Sequence, residues 1–245
     1  MTTPVINFHI PLDFDPSILK SDDADLKAAV SRAYETWGKV KTTLAQLEQH
    51  AKGERPQVPK RKLTPSDQAR LDAWAVRTSS HKAELARKSQ PKVEAAGAKL
   101  DNTLSLVRER RNQLVEQLDK DLQPKAPTDP RYTEIRTVIR EIAASKGGKR
   151  PVEILMSAIE QGDRDTIGAV ISAPTITTGL TPKEQQNVRD FALRKWFPDK
   201  VEALKNLDSD LERAEKMRDA FLEDMVTTMS GLMDKEAQII QEGLA

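Results

Sequence analysis

Apolar residues recur every three or four positions through most of this 245-residue chain, and this spacing is its strongest structural constraint. Such spacing places apolar side chains on one face of an α-helix. Only 38% of the residues are hydrophobic whereas 31% are charged, which favours long solvated helices over a thick core. The sequence therefore predicts an all-α fold, with long coiled-coil-like helices that flank a small helical domain and an extended N-terminal arm. Two long series show the spacing: Val93, Leu100, Leu104, Val107, Leu114 and Leu118, then Leu204, Leu207, Leu211, Ala214, Phe221, Met225 and Leu232.

Prolines and polar linkers divide this pattern into four segments. Residues 1–21 are predicted to form the arm, and residues 22–122 long helices with a basic, proline-containing linker near residues 53–63. Residues 128–197 are predicted to form the small helical domain, and residues 198–245 a long helix that pairs with residues 92–122.

Three residues interrupt the helical pattern between residues 64 and 122. Pro91 removes a backbone hydrogen bond and is expected to kink or split the helix. Gly97 and Arg111 fall in the apolar stripe and are expected to weaken it.

The charges are distributed unevenly along the chain, although the formal net charge is only +1. Residues 52–111 contain 15 Lys and Arg against 7 Asp and Glu, a net charge of +8. Residues 199–245 contain 6 against 12, a net charge of −6. Opposite charges flanking two apolar stripes favour pairing of the helices, within or between chains. Arg108, Arg110 and Arg111 are predicted to contact the acidic helix.

The first 16 residues differ from the rest of the chain. Large apolar residues alternate there with other residues, which is strand periodicity. Pro4, Pro11 and Pro16 exclude a central strand and favour an extended arm or an edge strand. The arm either packs on its own domain or lies on a neighbouring subunit, where it would add a strand or fill a groove. Its predicted partner-binding residues are Phe8, Ile10, Leu12 and Phe14.

The sequence predicts no catalytic residue, cofactor site or metal site. The chain has no cysteine, and His9, His50 and His81 have no partners at metal-ligand spacing. Acid pairs such as Asp208 and Asp210 are interpreted as solvated faces of charged helices. No apolar run is long enough for a membrane span, so we expect no membrane partner.

The basic groups at residues 60–62 and 108–111 could contact phosphate. Nucleic-acid binding is nevertheless not favoured from the sequence, because no aromatic residues are interleaved with them and no recognisable reader fold is present.

A stretch in the middle of the chain, "IGAVISAPTITTGLTPKEQQNVRDFALRKWFP" (residues 167–198), consists of a helix end, a break and a new helix start. Thr181 and Glu184 have the spacing of a capping box. The stretch resembles a pattern in uncharacterised virion-structure-cluster proteins of tailed bacteriophages and prophages. The resemblance implies a small virion or assembly protein and carries over no catalytic residue.

The residues and the resemblance together predict a non-enzymatic structural or assembly component of a bacteriophage particle. A neck, tail, decoration, internal or scaffolding protein would fit. Its partners would be copies of itself and other virion proteins, and it would be made in the host cytoplasm and reside in the virion. The alternative is a cytosolic coiled-coil adaptor or regulatory protein that binds a partner through its helical domain.

Overall fold

A computed structural model describes residues 10, 14–58, 63–124, 129–145 and 150–243 of the chain. All regular structure in these residues is helical, with eight α-helices and no strand, which confirms the predicted all-α class. Within these ranges no helix has both the length and the apolar content needed to cross a membrane. The helices are α1 (Ala24–Glu54), α2 (Pro65–Leu122), α3 (Pro130–Ala144), α4 (Pro151–Gln161), α5 (Arg164–Ile171), α6 (Thr175–Thr178), α7 (Pro182–Trp196) and α8 (Pro198–Gly243).

Helix starts follow local signals in the sequence. Helices α2, α3, α4, α7 and α8 each begin with proline, whose fixed φ suits the first helical position and whose missing N–H is not needed there. Asp23 caps α1 by accepting a hydrogen bond from the backbone N–H of Leu26 at 3.0 Å. Thr181 and Glu184 form the predicted capping box at the start of α7.

Helix α2 continues through Pro91, so the predicted split of the helix is wrong. Pro91 lies on the exposed side of the helix, while Ser89 and Val93 on either side of it are buried. The one backbone hydrogen bond lost at a proline is therefore missing on the solvent side, where water can satisfy the carbonyl group, and the buried stripe runs on without interruption.

The chain divides into two compact units. Unit 1 comprises Met1–Arg108 and Ser209–Ala245, and unit 2 comprises Glu109–Asp208. The sequence-based boundaries of the small helical domain, residues 128–197, lie inside unit 2.

Unit 1 is built from α1, the first part of α2 and the last part of α8. Its buried residues come from all three helices and follow the predicted spacing; they include Leu26, Val30, Trp37, Val93, Leu100, Leu104, Phe221 and Met225. Gly97 is buried, and a β-carbon there would lie 2.9 Å from Cδ2 of Leu222. The glycine thus permits close contact between α2 and α8, which corrects the expectation that it weakens the stripe.

Unit 2 encloses a separate core formed by the end of α2, helices α3 to α7 and the start of α8. Its fully buried members include Leu155, Ile159, Ile167, Val170 and Val188. Ile135, Phe191, Trp196 and Leu204 pack against them while remaining partly exposed.

Two contacts hold helix α5 inside unit 2, one at Gly168 and one at the C-terminal end of the helix. A β-carbon on Gly168 would lie 2.9 Å from the carbonyl oxygen of Leu122, so only glycine allows this approach. At the C-terminal end of α5, the amide nitrogen of Gln185 on α7 lies 2.8–3.1 Å from three backbone carbonyl oxygens, those of Val170, Ile171 and Ala173. Gln185 therefore supplies donors to carbonyl groups that a helix end leaves without a partner.

Candidate functional site

The N-terminal segment is attached to helix α8 by a buried carboxylate. Asp210 is 0% exposed. Its Oδ1 accepts a hydrogen bond from the backbone N–H of Lys20 at 2.9 Å, and its Oδ2 accepts one from that of Ser21 at 2.6 Å. One turn further along α8, Arg213 donates from Nη1 to the carbonyl oxygen of Ile18 at 2.8 Å. We call Asp210 and Arg213, with the residues 18–21 that they hold, the arm anchor.

Aromatic side chains extend this attachment. Phe14 stacks on Trp37 of α1 with ring centroids 6.2 Å apart, and Trp37 makes an edge contact with Phe221 of α8 at 6.0 Å. Trp37 Nε1 donates to Asp224 Oδ2 at 2.6 Å, and Lys41 Nζ lies 2.7 Å from the other oxygen of this carboxylate. The ring of Trp37 is thus held by packing and by a charged acceptor, which gives Phe14 a rigid partner.

The described part of the predicted arm lies against its own chain. A β-carbon on Gly38 of α1 would lie 3.7 Å from Cδ1 of Ile10, and Phe14 contacts Trp37. These placements agree with the interpretation in which the arm packs on its own domain. Phe8 and Leu12 lie outside the described residues. The arm is also not extended throughout, because Pro16–Ile18 form one turn of 3-10 helix capped by Asp15.

Asp210 corrects the interpretation of the acid pair at residues 208 and 210. Asp208 is exposed as expected and pairs with Arg111, but Asp210 is fully buried and binds backbone N–H groups. The burial of Asp210, although not its partners, could have been inferred from the helical spacing of the sequence. Asp210 precedes Ala214 by one helical turn and Met217 by two, and both of these residues are buried, so it belongs to the buried face of α8.

Two of the three predicted basic residues on α2, Arg108 and Arg111, contact α8. Arg108 Nη2 lies 2.5 Å from Glu215 Oε1 in unit 1, and Arg111 Nε lies 2.9 Å from Asp208 Oδ1 in unit 2. Arg110 also has an interaction partner. Within unit 1 Arg87 pairs with Glu236 and Arg108 with Glu215, and within unit 2 Arg111 pairs with Asp208 and Asp121 with Lys200, so in each unit the two helices run antiparallel. Arg111 is half-buried, and no residue of α2 between Val107 and Leu118 is fully buried, which agrees with the expectation that the stripe is weaker there.

Unit 2 carries a groove with an apolar floor and an arginine rim. Its volume is about 360 Å³, and Leu118, Leu193 and Leu204 contribute to the floor. The guanidinium groups at the rim belong to Arg111, Arg189 and Arg194. Arg189 forms an ion pair with Asp119, and Arg194 Nε donates to the carbonyl oxygen of Asp190 at 3.2 Å.

The titratable groups within the described ranges form no metal-binding cluster. No cluster of three or more His, Asp or Glu side chains within the described ranges could hold a metal ion. His50 Nδ1 lies 3.6 Å from Glu54 Oε1, but the two residues are one helical turn apart and His50 is 72% exposed. The hydrogen bond that Glu48 accepts from Lys82 lowers the pKa of this carboxyl group below its usual value, which keeps Glu48 ionised.

Comparison of the chain with protein-family models, with curated proteins and with solved structures finds no match. Its function is therefore inferred from its own residues and contacts.

Proposed function

We propose that the protein is a non-enzymatic structural or assembly component of a bacteriophage particle and that it acts by helix- and arm-mediated self-association. The arm anchor is the observation that carries this proposal. A buried carboxylate and an arginine hold residues 18–21 on α8 through backbone groups. The residues ahead of the anchor, with Phe8 and Leu12 among them, thus begin from a firm attachment to unit 1.

Firm attachment matters because an assembly arm must transmit force. The hydrogen bonds from Asp210 and Arg213 oppose detachment of the segment when its far end is pulled, since a hydrogen bond to a charged group contributes about 1.5–3 kcal/mol. Ile10 and Phe14 already contact their own α1, so the proposed association depends on residues such as Phe8, whose burial against a second surface would be favourable. The resemblance of residues 167–198 to virion-structure-cluster proteins supports the same function.

Helix surfaces offer a second set of contacts. Leu106 is 52% exposed on α2 and Val226 is 64% exposed on α8, both within unit 1. Single exposed apolar residues are common on any protein surface, so they support helix-mediated association only together with the arm.

Deletion of residues 1–9 tests the proposal, because it leaves Ile10, Phe14 and the arm anchor in place. We expect light scattering coupled to size-exclusion chromatography to show an oligomer for the full chain and a smaller species for the truncated chain. Circular dichroism should show the same helical signal for both. The substitution Phe8→Ser in the full chain serves as the control for chain length and should reproduce the effect in part. A full chain that is monomeric at every concentration, or a truncated chain that assembles as well as the full one, would overturn the proposal.

The groove in unit 2 favours one second candidate, an adaptor that binds a partner through its helical domain. Arginines around an apolar floor suit an amphipathic helix with acidic residues beside its apolar face. A monomeric chain that binds one partner with 1:1 stoichiometry, and loses it on Arg194→Glu but not on deletion of residues 1–9, would establish the adaptor.

A further inference from the structure

A second groove lies within unit 1, between α1 and α2, and it is basic. Its volume is about 660 Å³. Arg32 and Lys39 line it from α1, and Lys88 and Lys92 line it from α2. No carboxylate among the described residues lines this groove. We call this groove, with its four cationic side chains, the basic groove.

The charge of the basic groove is only partly balanced by the chain itself. Lys39 pairs with Glu35 at 3.6 Å and Lys88 pairs with Glu84 at 2.5 Å, each one turn away on the same exposed helix surface. Such exposed pairs contribute about 0–1 kcal/mol and are screened by salt, so a stronger anion can replace them. Within the described residues, the side chains of Arg32 and Lys92 form no ion pair.

The acidic helix α8 does not supply the missing charge. Its carboxylates contact other cations of unit 1: Glu215 pairs with Arg108, Asp224 with Lys41, and Glu236 with Arg87. These charges of α2 and α8 are thus paired where the helices meet, and among the described residues Arg32 and Lys92 of the basic groove remain without an ion pair. An anionic partner from outside the chain can therefore contact these exposed cations.

We propose that the basic groove binds the phosphodiester backbone of a nucleic acid without reading its sequence. Arg32 and Lys39 are about 10 Å apart along α1, and Lys88 and Lys92 about 6 Å apart along α2, at a rise of about 1.5 Å per residue. Duplex DNA carries about one charge per 1.7 Å of its axis, so each of these intervals spans several phosphates and each cation can contact a different one. None of the described residues that line the groove is aromatic, so they offer no platform for stacking of bases.

This inference is independent of the arm and of self-association. It also differs from the sequence interpretation, in which nucleic-acid binding was not favoured and the candidate basic groups were residues 60–62 and 108–111. Arg108 and Arg111 are engaged with α8, whereas the cations of the basic groove are spaced over two helices and form no basic run in the sequence.

Salt-dependent binding of a labelled, mixed-sequence DNA duplex to the full chain tests the proposal by fluorescence anisotropy. Four phosphate contacts predict a slope of log K against log salt concentration of about −3.6, since each contact contributes about −0.9. The double variant Arg32→Gln, Lys92→Gln should reduce the slope to about −1.8 and weaken binding about 30-fold near 0.15 M salt, because two counterion-release contributions are lost. A second duplex of different sequence should bind equally well.

The matched control is the double variant Lys52→Gln, Arg70→Gln. Both residues are exposed on unit 1, neither lines the basic groove, and the change in net charge is the same. We expect the control to change affinity less than about 3-fold, consistent with long-range charge alone at a Debye length of about 8 Å. Circular dichroism of both variants should match the parent chain because all four substitutions are on exposed residues.

Three results would overturn the proposal. The first is equal weakening by the two double variants, since the binding would then follow net charge and not the groove. The second is absence of DNA binding by the full chain at about 50 mM salt. The third is tighter, groove-dependent binding of poly-glutamate than of DNA at equal salt, which would identify an acidic polypeptide as the partner. Retention of DNA binding after deletion of residues 1–9 separates this site from the proposed assembly function.

Discussion

Replacing Asp210 by asparagine should destabilise the protein by about 2 kcal/mol. Asp210 is completely buried, and each of its oxygens accepts one backbone N–H. Asparagine has the same size, but its NH₂ group is a donor, so the N–H of either Lys20 or Ser21 would face another donor. A lost hydrogen bond to a charged group contributes about 1.5–3 kcal/mol, and a buried unsatisfied donor costs about 1–3 kcal/mol. Removal of a buried charge offsets part of this loss.

Asp208→Asn is the matched control, because it makes the same chemical change two residues earlier on α8. Asp208 is 46% exposed and pairs with Arg111, which is 38% exposed. Exposed ion pairs of this kind contribute about 0–1 kcal/mol. The difference between the two variants therefore isolates the burial of Asp210 and its two backbone partners.

Urea denaturation followed by circular dichroism measures the effect. With a slope of about 2–3 kcal/mol per molar urea, a loss of 2 kcal/mol lowers the midpoint by about 0.7–1 M. The melting temperature should fall by about 4–8 °C, since 1 kcal/mol corresponds to about 2–4 °C for a chain of this size. Tryptic cleavage after Lys20 should also become faster in Asp210→Asn, because its backbone N–H and that of Ser21 hold the segment. Equal midpoints for the two variants, with equal cleavage after Lys20, would refute the reasoning.

The remaining predictions concern glycine, tryptophan and a helix cap. Gly231→Ala should stabilise the protein by about 0.5–1 kcal/mol, because alanine is the better helix former and a β-carbon there meets nothing within 4 Å. Gly168→Ala should destabilise it by about 1–3 kcal/mol through overpacking against backbone atoms; thermal melts that rank the two variants in the opposite order would contradict this. Trp196→Ala should lower the melting temperature more than Trp74→Ala, because Trp196 packs against the core of unit 2. Trp74 lies near the start of α2, and its Nε1 donates to the carbonyl oxygen of Ala51 close to the end of α1. The backbone N–H of Thr181 donates to Glu184 and lowers the pKa of its carboxyl group. The cap therefore stabilises the fold above the ordinary glutamate pKa of about 4.3. This stabilisation is lost as the pH falls through the lowered pKa. Melts at decreasing pH should therefore converge for the parent chain and Glu184→Gln, and a constant difference would argue against the cap.

The helices could be predicted from sequence because their signals are local. The three-to-four spacing of Leu100, Leu104 and Val107 depends only on the helical period, and all three side chains are buried as this period requires. Capping by Thr181 and Glu184 needs only residues three positions apart. Pro91 was misinterpreted because its effect depends on which side of the helix faces solvent, and this follows from packing.

The arm anchor could not be predicted, because its groups are distant in sequence. Asp210 and Ser21 are 189 positions apart, and nothing near Asp210 indicates that backbone N–H groups will reach it. The role of Asp224 could not be predicted either, because it is one of many acidic residues on α8. Its carboxylate accepts a hydrogen bond from the indole N–H of Trp37. Net charge predicted that α2 and α8 attract each other, but only the structure shows which of their charges pair.

The amide of Gln185 gives the protein one position where slow chemical ageing has a defined result. Deamidation replaces its nitrogen by oxygen and turns the side chain into a glutamate of nearly the same shape. The nitrogen that now faces three carbonyl oxygens of the α5 end would become an acceptor among acceptors, and the negative end of the helix dipole would repel the new charge. A change of one mass unit at this residue thus replaces attraction between α7 and α5 by repulsion. In a stored sample, the molecules that carry it should be the first in which unit 2 unfolds.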